Sequence, residues 1–315
     1  MTLREYRKGD SAGVADLWRR NPSKEFPLLG LDPDAVGGVL RQTERLGIRF
    51  LVRLARWFGR PIFVMEIVDV DGRVMGTTML NFTREAGYVS GVVVDSTLRR
   101  QGHGQEMLRA CDVVCQRYRR SYVVLDVLSE NAPALRLYDR WGYQRLRENF
   151  WLSRAVGPEA PLPPLSRTTR VRPFRRSDGA RLAEIDNAQM PPAVRSIVPR
   201  HPAEFRVPAI ARSILQSETE SWVAEVDGLP AGFLRATVSH LMEAANLSSP
   251  LFRADVTPSV ARDLLVTALR WIEGQRSPRV LTELPEHRAA VRPLLDSLGF
   301  VERFRVHTLV HRLAA

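Results

Sequence analysis

Two halves of this 315-residue sequence carry matching segments in the same order. Leu3 to Leu17 and Val171 to Ile185 align at one constant offset, with apolar, basic and Asp positions coinciding. Further on, each half has an Asp-Gly pair between alternating apolar runs, beginning at Asp71 and at Asp227. Such a pair is a strong signal for a β-hairpin. The repeat indicates a duplicated domain.

A proline-rich stretch separates the two halves. Residues 154–170 contain four prolines and no apolar periodicity, which is typical of an extended linker. The chain is also longer than the usual span of one hydrophobic core, which is about 150 residues. We therefore expect a first domain at residues 1–155, a linker at 156–169 and a second domain at 170–315.

Apolar periodicity alternates between the strand and helix periods, and the last helix of each half ends on a glycine, Gly142 or Gly299, before a final strand. The expected fold class is α/β, or mixed α+β, with a mixed sheet and helices on both faces. In the first half the pattern predicts strands at 3–7, 88–94, 122–127 and 145–153, a hairpin around residue 71, and helices at 11–20, 34–58, 104–119 and 132–141.

A glycine-containing segment joins a valine-rich strand to a predicted helix. It reads Arg99-Arg100-Gln101-Gly102-His103-Gly104. Glycine permits positive φ and a close backbone approach, so successive N–H groups can converge on an anion at the helix start, where the helix dipole favours negative charge. A pyrophosphate fits such a site. Two glycines at a helix start also occur in ordinary turns, so this segment alone leaves both interpretations open.

The first half resembles the GNAT superfamily of acetyltransferases. Its first motif, (Gln/Arg)-x-x-Gly-x-(Gly/Ala), is matched by Arg99, Gly102 and Gly104. The second motif, Asn-x-x-Ala-x-x-Leu-Tyr-x-x-x-Gly-Phe, is matched by Asn131, Ala134, Leu137, Tyr138 and Gly142, with Tyr143 in place of Phe. The resemblance implies two tandem GNAT-like domains, each with a mostly antiparallel sheet that splays open at its centre.

The resemblance also implies where acetyl-CoA, the co-substrate, would bind. Its pantetheine arm would lie between the splayed strands 88–94 and 122–127, its pyrophosphate would rest on the glycine loop, and its thioester would point toward Tyr138. No metal is expected, because the histidines lack ligand spacing. The expected contacts are Val92, Val93 and Val94 through their backbone, the loop residues Arg99, Arg100, Gln101, Gly102, His103 and Gly104, and Asn131.

Transfer of an acetyl group to an amine needs a base for the amine and an acid for the departing thiolate. Tyr138 stands where the family keeps its acid, and a phenol with a pKa of about 10 can supply that proton; the alternative is a tyrosine that only packs. Asp126 is the candidate base, because the segment Leu125-Asp126-Val127 resembles a Leu-Glu-Val segment of ribosomal-protein alanine N-acetyltransferases. The shorter aspartate suggests a relay through water. A structural aspartate, and Glu85 as base, remain alternatives.

The second half lacks these features. It has no glycine between Gly232 and Gly274, and the turn that should hold the phosphate loop contains Pro258, which has no backbone N–H. Leu295 occupies the position of Tyr138 when both are counted back from the closing glycine. We therefore expect a catalytic domain followed by a degenerate, GNAT-like one.

The expected function is acetyl transfer from acetyl-CoA to a primary amine, on a small molecule or a peptide N-terminus; the alternative is a non-catalytic acyl-CoA sensor.

The net charge of +11 comes almost wholly from arginine and reflects either composition bias or an anionic partner. No motif predicts nucleic-acid binding. The absence of a signal peptide or of an 18-residue apolar run predicts a cytoplasmic protein without a membrane span. A homodimer stays open.

Overall fold

The structure is a computed structural model that describes residues 2–22, 32–57, 63–166, 170–207, 212, 216–239 and 243–314. The chain forms two compact units, the first made of Met1–Arg147 with Val306–Ala315 and the second of Glu148–Arg305. In order, the helices and strands are β1 (Thr2–Glu5), α1 (Asp10–Arg20), α2 (Pro33–Thr43), α3 (Leu46–Trp57), β2 (Phe63–Val70), β3 (Arg73–Phe82), β4 (Ala86–Val94), α4 (His103–Arg117), β5 (Tyr122–Leu128), α5 (Ala132–Arg140), β6 (Gln144–Ala155), β7 (Arg170–Pro173), α6 (Asp178–Gln189), α7 (Pro192–Ile197), β8 (Ser217–Val226), β9 (Leu229–Ser239), β10 (Ala245–Leu247), β11 (Leu251–Phe252), α8 (Pro258–Gly274), β12 (Arg279–Pro285), α9 (Arg292–Ser297) and β13 (Val301–Arg312).

Each unit is built on a mostly antiparallel sheet, which confirms the predicted fold class. The strand order is β1-β2-β3-β4-β5-β13 in the first unit and β6-β12-β10-β9-β8-β7 in the second, where β11 also pairs with β9. The parallel neighbours are β4 with β5 in the first unit and β10 with β12 in the second. The predicted helical stretch at 34–58 is divided into α2 and α3.

The duplication is visible in an ion network that is repeated at the matching segments near residues 4 and 172. Arg4 donates to both carboxylate oxygens of Asp10 at 2.7 and 2.9 Å and to Asp69 at 2.8 Å. In the second unit Arg172 donates to both oxygens of Asp178 at 2.8 and 2.9 Å and to Glu225. Bidentate pairs of this kind fix geometry because two parallel N–H groups must align with one carboxylate.

The second acid of each network, Asp69 in the first unit and Glu225 in the second, lies at a β-bulge beside a hairpin. The register of β2 with β3 shifts between Val68 and Asp69, and that of β8 with β9 shifts between Ala224 and Glu225. Both turns have their Asp and Gly at positive φ: 52° and 80° at residues 71 and 72, and 53° and 74° at residues 227 and 228. These values are those of the predicted hairpin turns.

The compact units differ from the predicted domains at their closing strands. Residues 149–155 of β6 pair with β12 and therefore belong to the second unit, although the sequence assigns them to the first domain. Residues 306–312 of β13 pair with β5 and belong to the first unit. Linker composition predicts where the chain lacks regular structure, but it carries no information about which distant strand a segment joins.

The segment predicted as a linker is anchored to the second unit. Residues 156–166 contain no helix or strand, but the Ser166 N–H donates to Asp263 at 3.2 Å and Arg270 donates to the Pro163 carbonyl at 3.2 Å. Residues 167–169 lie outside the described residues. The described part of this segment is thus held against α8.

Truncation after Arg305 tests the role of the closing strand. It would remove Leu309 and Leu313, which are buried in the first unit's core, together with the antiparallel partner of β5. Each buried leucine is worth about 2–5 kcal/mol, and a whole domain is stabilised by only about 5–15 kcal/mol. We expect the first unit to unfold, which limited proteolysis with mass spectrometry would detect as cleavage within residues 86–128. A chain lacking only Ala314 and Ala315 is the control and should resist cleavage. Equal resistance of both chains would contradict the assignment of β13 to this sheet.

Candidate functional site

The first unit contains a splay between its two parallel strands. β4 and β5 pair only from Ala86 with Tyr122 to Val89 with Leu125. In the described part of the chain no further pairing joins residues 90–94 to residues 126–128. The central opening predicted from the family resemblance is therefore present, and it begins immediately after Val89 and Leu125.

A β-bulge in β4 accounts for the splay. Thr77 pairs with Val93 and Met79 with Ser90, so two residues of β4 face one residue of β3. A bulge of this kind bends its strand and increases its twist. Gly91 lies in the bulge with φ of 60°, and a Cβ added there would lie 2.9 Å from the Trp18 ring. Only glycine fits this position without displacing that ring.

Hydrogen bonds hold the bulge in place. The Thr77 hydroxyl donates to the Gly91 carbonyl at 3.1 Å, and the Trp18 indole N–H donates to the Thr77 hydroxyl at 3.1 Å. The edge of β4 that carries Val92, Val93 and Val94 then has no β5 neighbour among the described residues. Its backbone groups are those predicted to contact pantetheine.

The loop after β4 is anchored through a buried aspartate. Asp95 accepts from the Thr97 N–H at 3.1 Å and from the Asn21 side chain at 3.2 Å, and it also pairs with Arg20. Burial alone would raise the pKa of Asp95, but the hydrogen bonds from Thr97 and Asn21 and the charge of Arg20 lower it to about 2. Asp95 is therefore ionised at neutral pH and fixes the start of the loop to the end of α1.

The glycine loop ends where α4 begins. Gly102 is the residue before the helix, with φ of 91° and ψ of −11°, and no side chain caps this helix start. The N–H groups of Gln105 and Glu106 donate to the Gly102 carbonyl at 2.9 and 3.2 Å. The N–H groups of His103 and Gly104 come before these in the first turn and have no acceptor within the helix. An anion could accept from them.

The two loop glycines have different roles. Gly102 has positive φ, but Gly104 does not, and Arg100 has φ of 63°. A Cβ at Gly104 would lie 3.1 Å from Leu137 of α5, so this glycine serves the close packing of two helices. The sequence permits positive φ at both glycines, and of the two only Gly102 adopts it.

The loop side chains mostly support the loop itself. Arg99 donates to the Val94 carbonyl at 3.1 Å and to the Asn21 side chain at 3.2 Å. Gln101 donates to the Thr97 carbonyl at 3.0 Å. His103 is buried and lies 3.1 Å from the carboxylate of Glu106. Arg100 is exposed. The backbone and Arg100 are therefore the parts of this loop best placed for a ligand.

Tyr138 and Asn131 both lie on α5. Asn131 caps the helix, because its side-chain oxygen accepts from the Ala134 N–H at 3.3 Å. Tyr138 is the residue of this helix that is buried, and its ring centroid lies 5.6 Å from that of Tyr143. Burial raises the pKa of Tyr143 well above its usual value, which makes Tyr143 a poor proton donor. Tyr138 stays the predicted acid.

Asp126 and Tyr138 lie on opposite faces of the sheet. Tyr138 packs in one hydrophobic cluster with Leu125 and Val127. Side chains alternate between faces along a strand, so Asp126, between those two residues, points to the other face. Tyr88 and Thr308 each donate a hydroxyl to this carboxylate, Thr308 at 2.6 Å. Asp126 is thus held by its neighbours across the sheet and does not cap the following turn.

Glu85, the second candidate base, lies at the other end of β4. It precedes Ala86, which pairs with Tyr122 at the closed end of the two strands. A strand rises about 3.3 Å per residue, so Glu85 is about 17 Å along the chain from Ser90, where the splay opens. The geometry favours Asp126.

In the second unit an arginine occupies the corresponding place. Leu247 with Thr282 is the last parallel pair of β10 and β12. Beyond it, buried Arg288 donates to the carbonyls of Ser249 and Pro250 at 3.3 and 3.2 Å and also pairs with Asp186. Burial alone would raise the pKa of Asp186, but Arg288 and Arg200 lower it, so this pair is charged.

The remaining features of the second unit also differ from the first. α8 begins at Pro258, and Leu295 is fully buried in the hydrophobic core. Before α8 the chain forms the short strands β10 and β11. Arg288 thus lies where the first unit has the splay, Pro258 where it has the glycine loop, and Leu295 where it has Tyr138.

Sequence reasoning missed several residues that shape the site. Asp95 directly follows a strand and precedes a turn, which is a recognisable capping pattern. Gly91 within a valine-rich strand is a recognisable bulge signal. Thr308 and Arg288 had no local signal, because their roles depend on contacts with distant segments of the chain.

Cys111 and Cys115 are free and buried within α4. Desolvation raises the pKa of both thiols to about 12, so they are neutral packing groups. Over the described ranges no helix is long and apolar enough to cross a membrane. Over the same ranges no group of three or more His, Cys, Asp or Glu side chains is arranged to hold a metal ion.

Comparisons with known proteins agree with this geometry. The model of the Acetyltransferase (GNAT) family matches residues 32–143. The chain is 30% identical over 97 residues to GCN5-related N-acetyltransferase 10, chloroplastic, of Arabidopsis thaliana, which covers 30% of this chain and 38% of that protein. The structure resembles a tandem GNAT protein from the clavulanic acid biosynthesis pathway, with a TM-score of 0.67 and 14% identity over 100% of this chain and 99% of that one.

A GCN5-related N-acetyltransferase from Sphaerobacter thermophilus is similar as well, with a TM-score of 0.68 and 15% identity over 100% of this chain and 96% of that one. The structural likenesses establish the fold, and the family match lies on the unit that contains the splay and the glycine loop. The chain thus has the fold of a tandem GNAT protein, and residues 32–143 match the GNAT acetyltransferase family.

Gly102→Val tests the phosphate loop. A β-branched residue at φ of 91° strains the backbone by about 1–3 kcal/mol, so we expect acetyl-CoA to bind about ten- to hundredfold more weakly in calorimetry. Gly9→Val is a matched control, because Gly9 precedes α1 with φ of 99° and has equally open space around its Cα. It should lower stability without changing affinity. Unchanged affinity in folded Gly102→Val, or equal losses in both variants, would contradict a binding role for this loop.

Stoichiometry tests the difference between the units. Because Arg288 and Pro258 stand where the first unit has its opening and its loop, acetyl-CoA should bind with one equivalent per chain in a calorimetric titration. Gly102→Val should weaken this binding without revealing another site. A second equivalent of comparable affinity would contradict the prediction.

Proposed function

We propose that the first unit transfers an acetyl group from acetyl-CoA directly to a primary amine. The observation that carries this proposal is the splay of β4 from β5, which has Asp126 on one face of the sheet and Tyr138 on the other. A thioester lying in the splay would be accessible to an amine from one face and to a proton donor from the other.

The residues of the first unit fit acetyl-CoA. The edge of β4 that carries Val92, Val93 and Val94 has no β5 neighbour among the described residues and can face the amide-containing arm, although the Val94 carbonyl already accepts from Arg99. The first turn of α4 offers N–H groups to its pyrophosphate, and exposed Arg100 offers a positive charge. Asn131 caps α5 through its side-chain oxygen, so any contact with the co-substrate would use its amide nitrogen. The net charge of +11 would attract such an anion at long range.

In the proposed reaction Asp126 accepts a proton from the acceptor ammonium, through a water molecule because the aspartate side chain is short. The neutral amine then attacks the thioester carbonyl, so that a C–N bond forms as the C–S bond breaks. Tyr138 donates its phenolic proton to the departing thiolate, and solvent water removes the remaining extra proton from the new amide nitrogen and returns a proton to the tyrosinate. The separation of the two groups on opposite faces of β5 prevents the acid from protonating the attacking amine.

A non-catalytic acyl-CoA sensor is the alternative. A sensor needs the splay and the loop, but it does not need an acidic side chain and a phenol on opposite faces of the sheet. The acceptor, either a small molecule or a peptide N-terminus, stays open, as does the resemblance to ribosomal-protein alanine N-acetyltransferases. Screening a panel of amines with acetyl-CoA and measuring the release of free thiol tests this choice, because a sensor gives no release above the enzyme-free rate.

Tyr138→Phe tests the acid. The change removes the proton donor and keeps the ring, so kcat should fall by a factor of about 10² to 10⁴ with little change in acetyl-CoA affinity. Tyr143→Phe is the matched control, because Tyr143 is a buried neighbour whose hydroxyl has no hydrogen-bond partner in the described structure. It should retain turnover. The measurement requires a weakly reactive amine, so that chemistry limits the rate. Full turnover by Tyr138→Phe would leave Tyr138 with a packing role only.

A further inference from the structure

Asp126 is held from both sides, and one of the two residues that hold it comes from the end of the chain. Thr308 lies 182 residues away in sequence, yet its hydroxyl donates to the Asp126 carboxylate at 2.6 Å. The register of β13 with β5 places the two residues directly opposite each other. Thr308 is 1% exposed, so its hydroxyl is shielded from water, whereas Asp126 is half-buried.

A second contact fixes the direction of this hydrogen bond. The Arg147 guanidinium donates to the Thr308 hydroxyl oxygen at 3.4 Å. Because that oxygen accepts from Arg147, the hydroxyl proton is directed toward Asp126. Tyr88 donates to the other carboxylate oxygen. The carboxylate plane is therefore set by one hydroxyl from β4 and one from β13.

The location of Asp126 makes this support necessary. Asp126 is the first residue of β5 beyond its last pair with β4, Leu125 with Val89. On the β4 side its backbone has no strand neighbour among the described residues, and β13 alone continues the sheet beside it. Its side chain is also one methylene shorter than a glutamate, so its reach depends on where the strand holds it.

We propose that Thr308 is a positioning residue for acetyl transfer, which aims the Asp126 carboxylate at the acceptor. This proposal rests on the proposed function, in which Asp126 is the base. It implies that the last strand of the chain completes the site of the first unit, and that the N-terminal half of the sequence alone would be an incomplete enzyme. Displacements of about 1 Å in a reacting group can cost about a hundredfold in rate.

The test combines Thr308→Val, which removes the hydroxyl and keeps the shape, with Thr308→Ser, which keeps the hydroxyl. We expect Thr308→Val to lower kcat about ten- to hundredfold with unchanged KM for acetyl-CoA, and Thr308→Ser to retain kcat within about twofold. Thr308→Ala replaces the valine variant if that variant does not fold. Thr282→Val, at a buried strand position of the second unit, is the matched control and should keep full turnover.

A double-mutant cycle separates positioning from a general structural effect. If Thr308 acts through Asp126, Thr308→Val should cause no further loss in an Asp126→Asn background. A similar loss in both backgrounds, or full turnover by Thr308→Val while Asp126→Asn is impaired, would overturn the positioning role and leave the proposed function intact. Full turnover by Asp126→Asn itself would overturn the base assignment and the positioning role together.

Discussion

The site depends on the point at which β4 stops pairing with β5. Up to Val89 and Leu125 the two strands form an ordinary parallel ladder, and beyond them the bulge at Gly91 turns β4 away. The bulge is possible because Gly91 has no side chain to meet the Trp18 ring, and Thr77 and Trp18 hold its carbonyl in place. Without this bend, pairing would continue along the strands, and the backbone groups of residues 92–94 would be used within the sheet.

The same sheet separates the two chemical groups. Successive side chains of β5 face alternately toward α5 and away from it. Leu125 and Val127 therefore lie with Tyr138 in an apolar cluster, and Asp126 lies on the other face with hydroxyl neighbours. The Asp126 carboxylate accepts hydrogen bonds from Tyr88 and Thr308, whereas the Tyr138 ring packs among apolar side chains. Because side chains alternate along β5, residues 125–127 provide both the apolar face beside Tyr138 and the polar face that carries Asp126.

The sequence predicted the parts that depend on local chemistry. Both hairpins, the glycine before α4 and the cap of α5 follow from residues within a few positions of each other, so short motifs determine them. The exchange of closing strands and the support of Asp126 by Thr308 depend on pairing between segments 182 residues apart. A strand sequence specifies which of its faces is buried but not which neighbour it joins. The packing of Gly104 against α5 was not predicted either, because it depends on a contact with another segment of the chain.

The two units share an ion network but differ in the residues at the splay and at the loop. The ion network of Arg4 with Asp10 is repeated almost atom for atom by Arg172 with Asp178, because it fixes the first strand of each sheet to the first helix. That network does not include the splay or the loop that precedes α4 in the first unit and α8 in the second. The loop of the second unit can therefore lack glycines while the sheet is kept. A buried guanidinium at the second opening replaces an unpaired strand edge with hydrogen bonds to Ser249 and Pro250. These hydrogen bonds satisfy backbone carbonyls that would be costly to leave unpaired away from water.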